Sequence, residues 1–266
     1  MTSIREPAVA GMFYPADPQE LHDMVLNFLA NADKDGSLPK AIICPHAGLI
    51  YSGPIAASAY ARLYEGREQI ERVVLLGPSH RIPFYGLAIT AADYYETPLG
   101  RIRVDQQAQQ LVRDLPQVKS LESAHAREHS LEVQLPFLQL VLEDFSLVPL
   151  VVGEASADEV AEVLQRLWGG PETLIVISSD LSHYHDYFTA RKMDSATSEA
   201  IVTLHPESIG DEDACGRIPV RGLLTLARRL GLHGELIDLR NSGDTAGPRD
   251  QVVGYGAYAF LEKTAA

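Results

Sequence analysis

Leu174-Ile175-Val176-Ile177-Ser178-Ser179-Asp180-Leu181-Ser182-His183 opens on four consecutive apolar residues and closes on polar side chains and an imidazole. A short, continuously apolar run of this kind reads as a strand buried on both faces, as in a largely parallel sheet. Two other segments repeat the plan: Ala41-Ile42-Ile43-Cys44-Pro45-His46 and Val73-Val74-Leu75-Leu76-Gly77-Pro78-Ser79-His80. In an open α/β sheet, ligands bind in the crevice beyond the carboxyl ends of the strands. The three runs therefore predict one rim that receives His46, His80 and His183 from distant parts of the chain. Any one of these histidines could simply cap a turn, but three in the same place relative to a buried run point to a site.

The flanking sequence supplies the helices. Asp17-Pro18-Gln19-Glu20 combines an N-cap, a proline at the first helical position and a glutamate at the third. Leu21, Val25, Phe28 and Leu29 follow at helical spacing. A small-residue helix is expected from about Pro54 to Leu63, and another from Val104 to Leu115. Leu131, Leu135, Leu138 and Leu142 keep a helical period that Pro136 should kink or restart. Further helices are expected at about Ala157 to Trp168, Tyr187 to Leu204 and Val220 to Leu230. Strands are expected at Leu87 to Thr90, at Leu147 to Val152, near Leu236 and from Val252 to Phe260. This alternation predicts a single α/β domain spanning 1–266, with a mostly parallel or mixed central sheet covered by helices on both faces. No linker, internal repeat or low-complexity segment divides it.

Composition narrows the function classes. The hydrophobic fraction is 46%, and no stretch approaches the roughly 20 apolar residues of a membrane span. Met1 to Pro7 lacks the charged-then-apolar layout of a secretory signal, so a cytoplasmic location is expected. A net charge of -14, with scattered Lys and Arg, argues against nucleic-acid binding. Two cysteines form no disulfide framework. Cys44 sits inside an apolar run. Cys215 sits in Asp213-Ala214-Cys215-Gly216-Arg217, where the neighbouring guanidinium is expected to favour the thiolate.

Four arrangements could carry chemistry. His46, His80 and Cys215, with His183 nearby, form a mixed-ligand set suited to iron, copper or zinc and unlike the oxygen-rich sites of magnesium or calcium. Asp180 could orient His183 as an acid/base group, with His185 as a competing assignment. His125-Ala126-Arg127-Glu128-His129 matches the H-x-x-E-H string of inverted zinc peptidases. That motif needs one continuous helix, whereas the polar residues before Glu128 suggest that a helix begins inside it. His129 and Glu132, three residues apart, form a candidate pocket-lining pair. A Cys215, His183 and Asp180 hydrolase would leave His46 and His80 without a role. No nucleotide cofactor is expected.

Seven segments in order bring the chain close to a known family: Arg5 to Pro15; Pro45 to Gly48 with Tyr51 to Gly53; Leu76 to His80; Glu128 to Glu132 with Leu135-Pro136; Ser178 to Asp180 with His183; Cys215 to Arg217; and Val253 to Gly256. The chain resembles the Memo family, and within it the prokaryotic members called AmmeMemoRadiSam system protein B. The resemblance implies a fold like that of the class III extradiol, LigB-type, non-haem iron dioxygenases. It places His46 and His80 at two histidine ligand positions, Cys215 where those enzymes keep a glutamate ligand, and His183 at their acid/base histidine. A thiolate in place of a carboxylate changes metal preference and redox behaviour, so ring cleavage is not carried over. Animal members of the family are similar to signalling and redox proteins that bind metal and phosphotyrosine-bearing receptor peptides. Prokaryotic relatives are associated with a radical-SAM protein and an AMMECR-type domain, the partner proteins expected here.

The leading expectation is a metal-dependent oxidoreductase. It would hold iron or copper through His46, His80 and Cys215, with His183 and Asp180 moving a proton. Tyr51, His129, Glu132 and Arg217 would contact a small-molecule or peptide ligand. The alternative is a non-catalytic module that holds an anionic peptide or a partner's chain terminus in the same pocket.

Overall fold

The computed structural model describes residues 2–262. Its strands are β1 (Ile4–Arg5), β2 (Ala41–Cys44), β3 (Arg72–Pro78), β4 (Leu87–Ile89), β5 (Tyr94–Thr97), β6 (Gly100–Arg103), β7 (Val118–Ser120), β8 (Ser146–Val152), β9 (Thr173–Ser178), β10 (His183–His185), β11 (His233–Asn241) and β12 (Val252–Leu261). Its helices are α1 (Pro18–Ala30), α2 (Leu49–Tyr60), α3 (Gln106–Gln110), α4 (Glu122–Ala126), α5 (Leu135–Val141), α6 (Ala157–Leu167), α7 (Tyr187–Val202) and α8 (Arg217–Leu230).

Nine strands form the main sheet in the order β10-β12-β2-β9-β3-β8-β4-β7, with β11 also pairing with β12. The centre, β2-β9-β3-β8, is parallel. Antiparallel β12 and β4 flank it. The sheet is therefore mixed with a parallel core, as the alternation predicts. Each central strand is buried along nearly its whole length, and its residues alternate between two layers. Val73 and Leu75 pack with α1, α2 and α5, while Val74 and Leu76 pack with α6 and α8. Full burial of such a side chain is worth about 1.5–3 kcal/mol, which is why the two-sided runs specify the sheet so strongly. Parallel direction carries the carboxyl ends of β2, β9 and β3 to one rim, with His46, Asp180 and His80 just beyond them.

Several boundaries differ from expectation. The helix expected from Pro54 begins at Leu49, behind the cap residue Gly48, and encloses Pro54. A side chain at the neighbouring Gly53 would lie 2.4 Å from the Phe28 ring, so α1 packs directly on the α2 backbone. The helix expected from Val104 to Leu115 shrinks to α3, because Val104 bridges to Leu147 beside the sheet and Asp105 then caps the short turn. Around Pro136 the chain restarts: a 3-10 turn covers Glu132 to Gln134, and α5 places the proline in its first turn. A separate three-stranded sheet, β1-β5-β6, and the short strands β7 and β10 were not expected. Among the described residues, no helix is long and apolar enough to cross a membrane.

Candidate metal centre

Three loops meet at the rim. The potential ligand atoms of His46, His80 and Cys215 all lie within 4.8 Å of one another. His46 Nε2 is 3.4 Å from Cys215 Sγ, and the His46 and His80 rings are 5.2 Å apart, edge to face. The structure thus brings together the three residues expected to bind metal, although 169 positions separate the first from the last.

Hydrogen-bond accounting sets the tautomer of both imidazoles. Ser178 Oγ donates its single proton to the Ser130 carbonyl over 2.6 Å and accepts from Gln134 Nε2 over 2.7 Å. His46 Nδ1, 2.8 Å from the same oxygen, must therefore be the donor. His80 Nδ1 donates to Glu128 Oε1 over 2.8 Å. In its neutral form each ring then carries its free lone pair on Nε2, as a metal ion requires. Burial, reinforced by His80 and His129, holds His46 well below its ordinary pKa, so it stays neutral. Burial would raise the Glu128 carboxyl, but hydrogen bonds from His80 and nearby backbone N–H groups outweigh it and hold the group at about 2.

The sulfur and the acid/base pair depart from expectation in detail. Burial pushes the Cys215 thiol well above its ordinary range, and Asp180 pushes it further. Arg217 does not favour a thiolate, because its Nε donates to Asp211 over 2.8 Å. Instead, Cys215 Sγ accepts from the Asp180 N–H over 3.3 Å. Asp180 Oδ1 accepts from the backbone N–H of His46 over 2.7 Å, so its hydrogen bond fixes the His46 loop and not the His183 ring. A carboxylate oxygen of Asp180, a ring nitrogen of His183 and Cys215 Sγ still lie within 4.8 Å of one another.

These groups open into a hollow of about 670 Å³ whose walls include Phe13, Tyr51, His129, His183 and Tyr255. His129 stacks on His80 at 4.5 Å, and its Nδ1 is buried without a hydrogen-bond partner. Of the four residues expected to contact a ligand, Tyr51 and His129 line the hollow, whereas Glu132 and Arg217 do not. Glu132 is fully buried and binds the amino-terminal segment through Arg5, Tyr14 and the N–H groups of Ala8 and Val9. Arg217 lines a separate cleft of about 240 Å³, which His80 and Cys215 also border. His185 is not part of the hollow's lining.

The H-x-x-E-H string is not a helical motif here. Helix α4 ends inside it instead of beginning there. His125 is buried, and both of its ring nitrogens are engaged, with Tyr95 Oη at 2.6 Å and the Ala88 carbonyl at 3.0 Å. Sequence reasoning missed Ser178, Gln134 and the orienting role of Glu128. Each is a common residue whose type alone does not mark it as an orienting group, although Glu128 belongs to the peptidase string and to a family segment.

The chain matches the family model described as Memo-like protein over residues 5–259. A MEMO1 family protein of Aquifex aeolicus is 39% identical over 270 residues, covering 97% of this chain and 99% of the relative. Another from Methanopyrus kandleri is 37% identical, covering 96% and 98%. One from Saccharolobus solfataricus is 35% identical, covering 96% and 99%. The family match spans every segment that builds the rim, and the chain belongs to the Memo family.

Proposed function

We propose that this chain binds a transition-metal ion, iron or copper, through His46 Nε2, His80 Nε2 and Cys215 Sγ, and acts as an oxidoreductase on a small-molecule or peptide ligand seated in the hollow. The observation that carries this reading is the orientation of the rings: Ser178 and Glu128 each engage an imidazole through Nδ1, which leaves Nε2 to a metal ion, and the thiol stands beside one of them. Two imidazoles and a sulfur fit the donor preferences of iron and copper. When bound, the ion supplies redox or Lewis-acid chemistry.

The chain's own residues do the rest. Cys215 releases its proton as it ligates, and its burial makes that loss unfavourable without a cation. Asp180 holds the His46 loop. His183, partly exposed on the rim, would exchange a proton with a bound ligand. Phe13, Tyr51 and Tyr255 give the hollow aromatic walls. A reducing cytoplasm would keep Cys44 and Cys215 as thiols.

Metal analysis after reconstitution tests this. Wild type is expected to retain iron or copper near one equivalent, and His46→Ala and Cys215→Ser to lose it. Equal absence of metal from all three proteins overturns the reading. Ligand binding that is indifferent to metal would then favour the non-catalytic alternative.

A further inference from the structure

Residues 5–14 run along the outside of the site, and their contacts end on both histidine loops. Arg5 is buried; its Nε donates to the His125 carbonyl over 3.0 Å and its Nη2 to the Glu128 carbonyl. It thus grips both ends of the loop whose Glu128 side chain holds His80. At the far end of the segment, the Phe13 carbonyl accepts from the Leu49 N–H over 2.8 Å, where α2 begins just past His46. The Phe13 ring rests 4.7 Å from His129. Between these ends, Glu132 gathers four donors: Arg5, the Ala8 N–H at 2.8 Å, the Val9 N–H at 3.0 Å and Tyr14. Such a convergence on one fully buried carboxylate costs much desolvation unless every partner is in place.

We propose that Arg5 and Glu132 are positioning residues for the metal centre, and that the amino-terminal arm they secure sets the relative placement of the His46 and His80 loops. This rests on the metal reading above. It assigns the arm a role that burial alone does not require, because an apolar contact could fill the same space without gripping the His125 and Glu128 carbonyls. Ligand-orienting partners one step out from a metal typically change affinity by about 10- to 100-fold. Arg5 acts through Glu128, so the lower end of that range applies.

Cobalt(II) is the probe, since its absorption reports both coordination geometry and sulfur ligation. Metal-free wild type, Arg5→Lys, Glu132→Gln and Leu167→Ala are titrated, the last as a destabilised control on the opposite face of the sheet. Arg5→Lys keeps the charge but cannot bridge both carbonyls as a guanidinium does. Arg5→Lys and Glu132→Gln are expected to bind cobalt about tenfold more weakly, and Leu167→Ala to bind as wild type does even at a lower melting temperature. Ring 15N shifts of the metal-free proteins give a second readout. His80 should show one tautomer in wild type and Leu167→Ala, and a mixture in the two arm variants. Wild-type cobalt affinity with an unchanged His80 tautomer in both arm variants overturns the proposal, whatever their stability. Should wild type take up no cobalt, the metal reading fails, and the tautomer of His80 alone decides whether the arm positions this ring.

Discussion

Glu128 binds His80 twice: one carboxylate oxygen accepts from the ring Nδ1 at 2.8 Å and the other from the backbone N–H at 2.7 Å. The first oxygen also accepts from the N–H groups of His129 and Ser130, each at 2.9 Å. One buried carboxylate thus fixes the position and tautomer of His80 and the loop that carries His129. An amide in its place offers one acceptor and one donor, and the donor would face an N–H. Glu128→Gln is expected to cost about 3 kcal/mol in denaturant unfolding, the upper part of the range for a buried polar group left unsatisfied. It should also weaken metal binding by about 10- to 100-fold. Unchanged metal affinity would show that the ring needs no external orientation.

The same carboxylate makes stability pH-dependent. Burial opposes its ionisation, yet the His80 and backbone hydrogen bonds bring it from an ordinary value of 4.5 to about 2. The depressed folded value means stability that is present above pH 4.5 and lost as pH falls towards 2. The shift corresponds to about 3 kcal/mol. Acid unfolding of Glu128→Gln followed between pH 5 and 2 should lack this component.

Asp194 provides the opposite slope. Burial raises it from 3.8 to about 6, and Oδ1 accepts from the Ser182 N–H over 3.0 Å. A raised folded value means stability that is complete below pH 3.8 and lost as pH rises through 6, again about 3 kcal/mol. Asp194→Asn keeps the acceptor and removes the charge. Its stability relative to wild type should therefore grow by that amount between pH 4 and 7, and a parallel pH profile would refute the assignment.

Space behind the sulfur is closed. A Cβ on Gly216 would lie 2.6 Å from Ser179 Cβ and 2.8 Å from the Ser178 carbonyl, against a backbone that cannot yield cheaply. Gly216→Ala is expected to displace Cys215 from His46 and to reduce thiolate-to-metal absorption while leaving the two imidazoles in place. Unaltered sulfur absorption in this variant would mean that the loop has room the packing does not show.

His125 separates the peptidase string from the metal centre. Burial lowers it to about 4, and its partners are Tyr95 and the Ala88 carbonyl. His125→Ala should cost about 3 kcal/mol in stability through the lost packing and the stranded partners. Metal content should be unaffected, and loss of metal at retained fold would return the string to the site.

Much of the architecture was legible because strong local signals and global packing agree. Runs such as Val73 to Leu76 can satisfy both faces only inside a covered sheet, and Asp17 caps α1 through the N–H groups of Gln19 and Glu20 as its motif requires. The peripheral β1-β5-β6 sheet lacked such a signal. β1 is two residues long and pairs in parallel with a strand about 90 positions away, a contact no local pattern encodes. Among candidate site residues, His46, His80 and Cys215 stood out as scarce, chemically soft side chains next to turns. Glu132 looked like a partner for His129 at helical spacing, but the segment at that point is a 3-10 turn that sends its carboxylate towards the amino-terminal arm.

By itself, then, the chain's order of residues determined an α/β domain with a buried parallel core and imidazoles just past its strands, since burial periodicity and turn chemistry are properties of neighbouring residues. Tertiary structure alone decided that Ser178 and Glu128 would orient those imidazoles through Nδ1, that Asp180 would bind the His46 backbone, and that Arg217 would bind Asp211. Hydrogen-bond partners are selected by distance and angle in space, and those depend on how strands from all parts of the chain are set side by side.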